Sequence, residues 1–99
     1  MKTSEFIRTA MKSVERGWCK GTTVDAHGNV CMGGAIINAM NARGLGFDAY
    51  LQARGALEHK VRELGWQFIT LMNDDPSTTK QDVLDVMEKA ALSLEEKGE

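Results

Sequence analysis

Between positions 18 and 35 the chain gathers residue types that carry chemistry: Trp18-Cys19-Lys20-Gly21, then Asp25, His27 and Gly28, then Cys31-Met32-Gly33-Gly34-Ala35. Cys31 opens an apolar-periodic stretch, so its thiol falls at a helix N-terminus, where free N–H groups and the helix dipole favour a thiolate. His27 or His59 could act as its base and Asn73 or Asp74 could orient that base, in the Cys, His, Asn/Asp order of papain-like enzymes. The plainer account of Cys31 is a core thiol, one helical turn before Ala35 on an apolar face. His59, flanked by Glu58, Lys60 and Arg62, reads as part of a solvated helix face.

A metal site could be assembled on paper from Cys19, His27, Cys31 and His59, but the close Cys-x-x-Cys or His-x-x-x-His pairs of structural zinc sites do not occur. Asp25-Ala26-His27-Gly28-Asn29 lacks the repeated acidic ligands of a calcium loop and reads as a tight turn. The glycines match neither a P-loop nor a dinucleotide fingerprint. No metal and no cofactor is expected. Arg8, Lys12 and Arg16, spaced i, i+4, i+8, form with Lys20 a basic stripe that could touch phosphates, although Glu5 and Glu15 dilute it.

Binding is the leading chemistry. Trp18 abuts Lys20 and a polar loop, where an indole can serve as an interface anchor, whereas Trp66, beside Phe68 and Ile69, reads as core. Asn73 and Asp74 precede Pro76 and can hydrogen-bond free backbone groups or hold the Trp18–Gly34 loop. The candidate binding set is therefore Trp18, Lys20, Asp25, Asn73 and Asp74. Cys31, His59 and Asn73 form the catalytic alternative.

The elements that must position these residues follow from hydrophobic spacing. Thr3 and Ser4 suit an N-cap, and Phe6, Ile7, Ala10, Met11 and Val14 set a helix over 4–16, ended by Gly17 as a left-handed residue. A loop or short β-hairpin spans 20–30. Further helices are predicted over 31–42, over 48–64 with Asp48 as cap, and over 66–72 as a short buried piece. The last runs over 79–96, opened by a capping box from Thr78 to Gln81, and 97–99 is a frayed tail. The apolar face of the third comprises Leu51, Ala53, Ala56, Leu57, Val61 and Leu64. The fold class is mainly α, a single compact domain of about five helices.

Ninety-nine residues with 42% apolar and 26% charged side chains match an ordinary globular domain. No apolar run approaches the ~20 residues of a membrane span and no signal-peptide core follows Lys2, so the expected location is the cytoplasm. Two cysteines do not make a disulfide framework. A net charge of −2 argues against a dedicated nucleic-acid binder. The charge is uneven, with basic residues concentrated before position 21 and acidic ones after position 80, so the two ends should attract.

As a set, Trp18-Cys19-x-Gly21, Asp25-x-x-Gly28, Cys31-x-x-Gly34-Ala35, Asn73-Asp74 and the threonines at 78–79 ahead of Val83 resemble a family of small uncharacterised proteins from actinobacteria and their bacteriophages. The likeness covers about residues 5–92. Family members usually carry Trp-Asn-Asp where this chain has Met72-Asn73-Asp74, and His27 and His59 fall outside the pattern. The resemblance implies a helical domain and a phage or actinobacterial setting, and it carries no activity. The expected function is a non-enzymatic protein-binding or regulatory module, a phage accessory protein that modulates a host factor. The alternatives are a cysteine-dependent hydrolase or transferase using Cys31, and weak nucleic-acid binding through the first helix.

Overall fold

The computed structural model describes all 99 residues. Five helices follow in order: α1 (Thr3–Arg16), α2 (Met32–Arg43), α3 (Phe47–Glu63), α4 (Ile69–Asp74) and α5 (Lys80–Glu96). Phe6, Ile7, Ala10 and Val14 make one buried stripe on α1, and Val83, Val86, Met87, Ala90 and Ala91 make its counterpart on α5. The two stripes pack on each other and α1 also rests on α2 and α3, so α1 is the centre of a single mainly helical domain. Alanines on α1, α2, α3 and α5 let these axes come close, while Phe6, Ile36, Leu57 and Met87 fill the remaining space.

The expected attraction between the ends is present. Arg8 forks onto Glu95 through Nε and Nη2 (2.7 and 2.8 Å) and reaches Glu88 through Nη1 (2.5 Å). These bonds hold the Glu95 carboxyl below its ordinary range. They also engage the first member of the basic stripe, while Arg16 turns to Ser13.

Several expectations shift. Of the two forms expected for 20–30, loop or short hairpin, the chain takes the loop, over 17–31, with two isolated bridges, both to Val30: parallel from Trp18 and antiparallel from Val24. Gly17 is not left-handed but extended at φ 179°, and a Cβ there would sit 2.0 Å from Asn29 Oδ1, so a side chain would have to displace the Asn29 amide. Neither Thr3 nor Ser4 caps α1; Lys2 is the N-cap without a side-chain bond. The 97–99 segment is not frayed, since the Glu99 carbonyl accepts the Ser4 N–H at 3.2 Å and the Glu99 N–H donates to Leu94 at 2.8 Å. α3 starts at Phe47 after Gly46, which places Asp48 inside the first turn. The capping box of α5 lies one residue later than expected, between Thr79 and Asp82, because Thr78 is buried.

α4 differs most, beginning at Ile69 instead of residue 66. Gly65, at φ 95°, turns the chain so that the Trp66 N–H closes α3 on the Val61 carbonyl at 2.9 Å. The start of α4 is then capped by Glu58 from the preceding helix, whose Oε2 accepts the Ile69 N–H at 3.0 Å. Glu58, read as solvated, is 8% exposed. Leu51 and Leu64, read as core, face outward, and so does Phe68.

Candidate functional site

Asn73, at the inner face of α4 and 1% exposed, spends all four of its hydrogen-bonding positions. Its Oδ1 accepts the Trp18 indole N–H (2.8 Å) and the Met32 backbone N–H (3.0 Å). Its Nδ2 donates to the Cys19 carbonyl (3.1 Å) and to Asp74 Oδ1 (2.9 Å). One side chain thus ties the entry of the 17–31 loop, the start of α2 and the end of α4. Asp74 Oδ1 also takes the Gly21 N–H at 3.0 Å.

The rest of the loop is held as firmly. Asp25 Oδ1 accepts the backbone N–H groups of His27 and Asn29, both at 2.9 Å, and Oδ2 accepts Asn29 Nδ2. The Asn29 amide, with these backbone bonds, lowers the Asp25 pKa. Lys20 Nζ donates to the Asp75 carbonyl at 2.7 Å and sits 5.3 Å from the centre of the Trp18 ring, a cation–π distance. The Cys19 thiol donates to the Asn29 carbonyl (3.3 Å), and burial raises its pKa. Trp18, Lys20, Asp25 and Asn73 therefore all make bonds within the loop or between it and the end of α4, and Trp18 is half-buried.

On the other side of that loop lies a cleft of about 240 Å³ between residues 21–23, α2, α3 and α4. Cys31, Asn73 and Asp74 reach it, and so do Tyr50 and Arg54 of α3. Cys31 is the N-cap of α2, its Sγ accepting the Gly34 N–H at 3.3 Å. The close backbone approach expected at Gly33-Gly34 is specific to Gly34, where a Cβ would stand 2.1 Å from the Thr23 carbonyl. Gly33 faces the cleft, and a Cβ there would make ordinary contact with Cys31 Sγ at 3.8 Å.

The catalytic set is not assembled. Cys31 and Asn73 share the cleft, but His59 lies on the outer face of α3 beside Glu63 (3.4 Å) and His27 lines a separate depression with Arg16 and Asn38. No three His, Cys, Asp or Glu side chains are grouped as metal ligands. No helix is long and apolar enough to cross a membrane.

Tyr50 and Arg54 escaped the sequence reading. Arg54 Nη1 donates to Tyr50 Oη at 2.8 Å and Nε lies 3.4 Å from Glu58 Oε1, and the Tyr50 bond leads in raising the Arg54 pKa. Their i, i+4 spacing with Glu58 was the available signal. Phe47 was missed as well: 64% exposed, it stacks on Tyr50 with ring centres 5.5 Å apart. Leu51, one turn further, is 48% exposed.

A family model described as "Family of unknown function (DUF6197)" matches residues 2–92. No curated protein and no solved structure matches the chain.

Proposed function

We infer, for a chain that belongs to the DUF6197 family of unknown function, that it is a non-enzymatic recognition module whose partner seats on the start of α3. The observation that carries this reading is the Phe47–Tyr50 stack with Leu51 beside it, a large aromatic and a leucine left open one turn apart at the edge of a cleft. Scattered exposed leucines need no explanation, but an exposed phenylalanine stacked on a tyrosine that itself bonds an arginine, with a leucine one turn on, has the composition of an interface centre. Burying Phe47 and Leu51 against a partner is favourable by ~25 cal/mol per Å² of apolar surface removed from water.

The phage or actinobacterial setting implied by the sequence resemblance makes the partner a host cytoplasmic protein, and the module an accessory factor that modulates it. The Trp18 loop acts from behind, by fixing the position of α2 and α4.

The test is affinity capture from an actinobacterial lysate with the native chain, Phe47→Ser/Leu51→Ser, Trp18→Ala and Cys31→Ser, followed by binding to the purified candidate. Loss of the partner with the α3 double variant and retention with Cys31→Ser is expected. Undiminished capture by the double variant would move the interface elsewhere. Turnover of a bound protein that stops with Cys31→Ser would replace this reading by the cysteine-dependent one, for which the placement of Cys31 in the cleft is the supporting observation.

A further inference from the structure

The cleft carries opposite charges that do not neutralise one another. Arg54 on α3 and Asp74 at the end of α4 both line it, yet no ion pair joins them. Arg54 uses Nη1 on Tyr50 and Nε toward Glu58, which leaves Nη2 without a protein partner. Tyr50 accepts from Arg54, so its own hydroxyl hydrogen is free. Asp74 engages Oδ1 only, leaving Oδ2 open. Ile37 and Ile69 supply the apolar part of the wall.

We propose that this cleft binds a small zwitterion with an apolar side chain, a free α-amino acid of leucine type. Its carboxylate meets Arg54 and the Tyr50 hydroxyl, its ammonium meets Asp74, and its side chain lies along Ile37 and Ile69. The charge balance selects this class. Glu58 already offsets part of the Arg54 charge, so Arg54, Glu58 and Asp74 together are net negative and disfavour a phosphate or other polyanion. A plain amine would leave Arg54 unmatched. Size agrees, because about 240 Å³ lies below the ~300–1,000 Å³ of clefts that hold drug-sized ligands. The proposal goes beyond the recognition surface at Phe47 and stands or falls without it.

L-Leucine, N-acetyl-leucine and leucine amide, titrated into the ¹⁵N-labelled chain, separate the contributions. Leucine should shift the Gly33 and Thr70 amides saturably, with a Kd on the order of 1 mM for a ligand of this size. Each blocked form should bind at least about tenfold more weakly, the equivalent of one lost charge-assisted contact. Arg54→Met and Asp74→Asn should each weaken leucine similarly while the amide spectrum away from the cleft stays native, which establishes that both variants fold. Equal binding of the three ligands, or no saturable shift with leucine at about 10 mM, ten times the expected Kd, overturns the proposal. Unchanged leucine affinity in the two folded variants overturns it as well. None of these readouts involves a protein partner, so a failure here is distinct from a failure at Phe47.

Discussion

Replacing Asn73 by leucine, which has the same number of side-chain heavy atoms but no polar ones, removes four hydrogen bonds at once. Two of the orphaned groups recover water: the Trp18 indole N–H belongs to a half-buried residue, and Asp74 faces the cleft. The Met32 N–H lies beneath a fully buried residue and the Cys19 carbonyl is only partly accessible, so these two bear most of the penalty. At ~1–3 kcal/mol for each buried group left unpaired, with less for the two that rehydrate, the expected loss is about 3–5 kcal/mol. A domain of 99 residues has ~5–15 kcal/mol in total, so the variant should remain folded but marginal, with a Tm about 15–30 °C lower. Urea unfolding followed by tryptophan emission and far-ultraviolet circular dichroism measures this. Asn73→Asp adds a control with a sign. It keeps the oxygen that accepts from Trp18 and Met32 but sets a second carboxylate against Asp74, which raises the folded-state pKa of the new group. Its stability relative to the native chain should then improve as the pH falls from 7 toward 4 and worsen as the pH rises. A loss below about 1 kcal/mol for Asn73→Leu would refute the assignment of Asn73 as the tie of the loop.

Glycine substitutions should divide by location: Gly34→Ala, with its Cβ driven against the Thr23 carbonyl, costs about 3 kcal/mol, whereas Gly55→Ala, in open space within α3, gains about 0.5–1 kcal/mol. Denaturation midpoints report both. Because burial raises the Cys19 pKa, iodoacetamide labelling of Cys19 in a Cys31→Ser background should be slow near neutrality and still accelerating above pH 9, and a plateau below pH 8 would contradict the placement of that thiol. Glu95, held below its ordinary pKa by Arg8, contributes stability that is complete above pH 4.5 and is lost as the pH falls through its lower folded-state value. In Arg8→Met the urea midpoint should therefore fall less between pH 5 and pH 3 than in the native chain.

The helices were legible because Phe6, Ile7, Ala10 and Val14, like Val83, Met87, Ala90 and Ala91, repeat at the period of a buried helix face. What sequence could not supply was partnership across the fold. Thr78-x-x-Gln81 and Thr79-x-x-Asp82 both pair a hydroxyl with an acceptor three residues on, and only the burial of Thr78 chooses between them. Glu58 sits among charged neighbours, and nothing local announces that it caps a helix starting eleven residues later. Gly17 was read as a left-handed helix terminator, but its backbone is extended, and what crowds a side chain there is Asn29 across the loop. At the site, Asn73, Asp74 and Cys31 stood out by type and do meet in one cleft, whereas Tyr50, Arg54 and Phe47 looked like ordinary residues of an amphipathic helix.

The Asn73 tie also fixes an order of events in folding. Its bonds to Met32 and Trp18 close chain separations of 41 and 55 residues, so they cannot form until α4 has docked on α2. The packing of α1 against α2 involves nearer neighbours in the chain and can come first. Residues 17–31 are therefore anchored at Trp18 and Cys19 only once α4 is in place. The cleft shares its wall with that segment, so any opening of residues 17–31 would break the Asn73 bonds and reshape the cleft together.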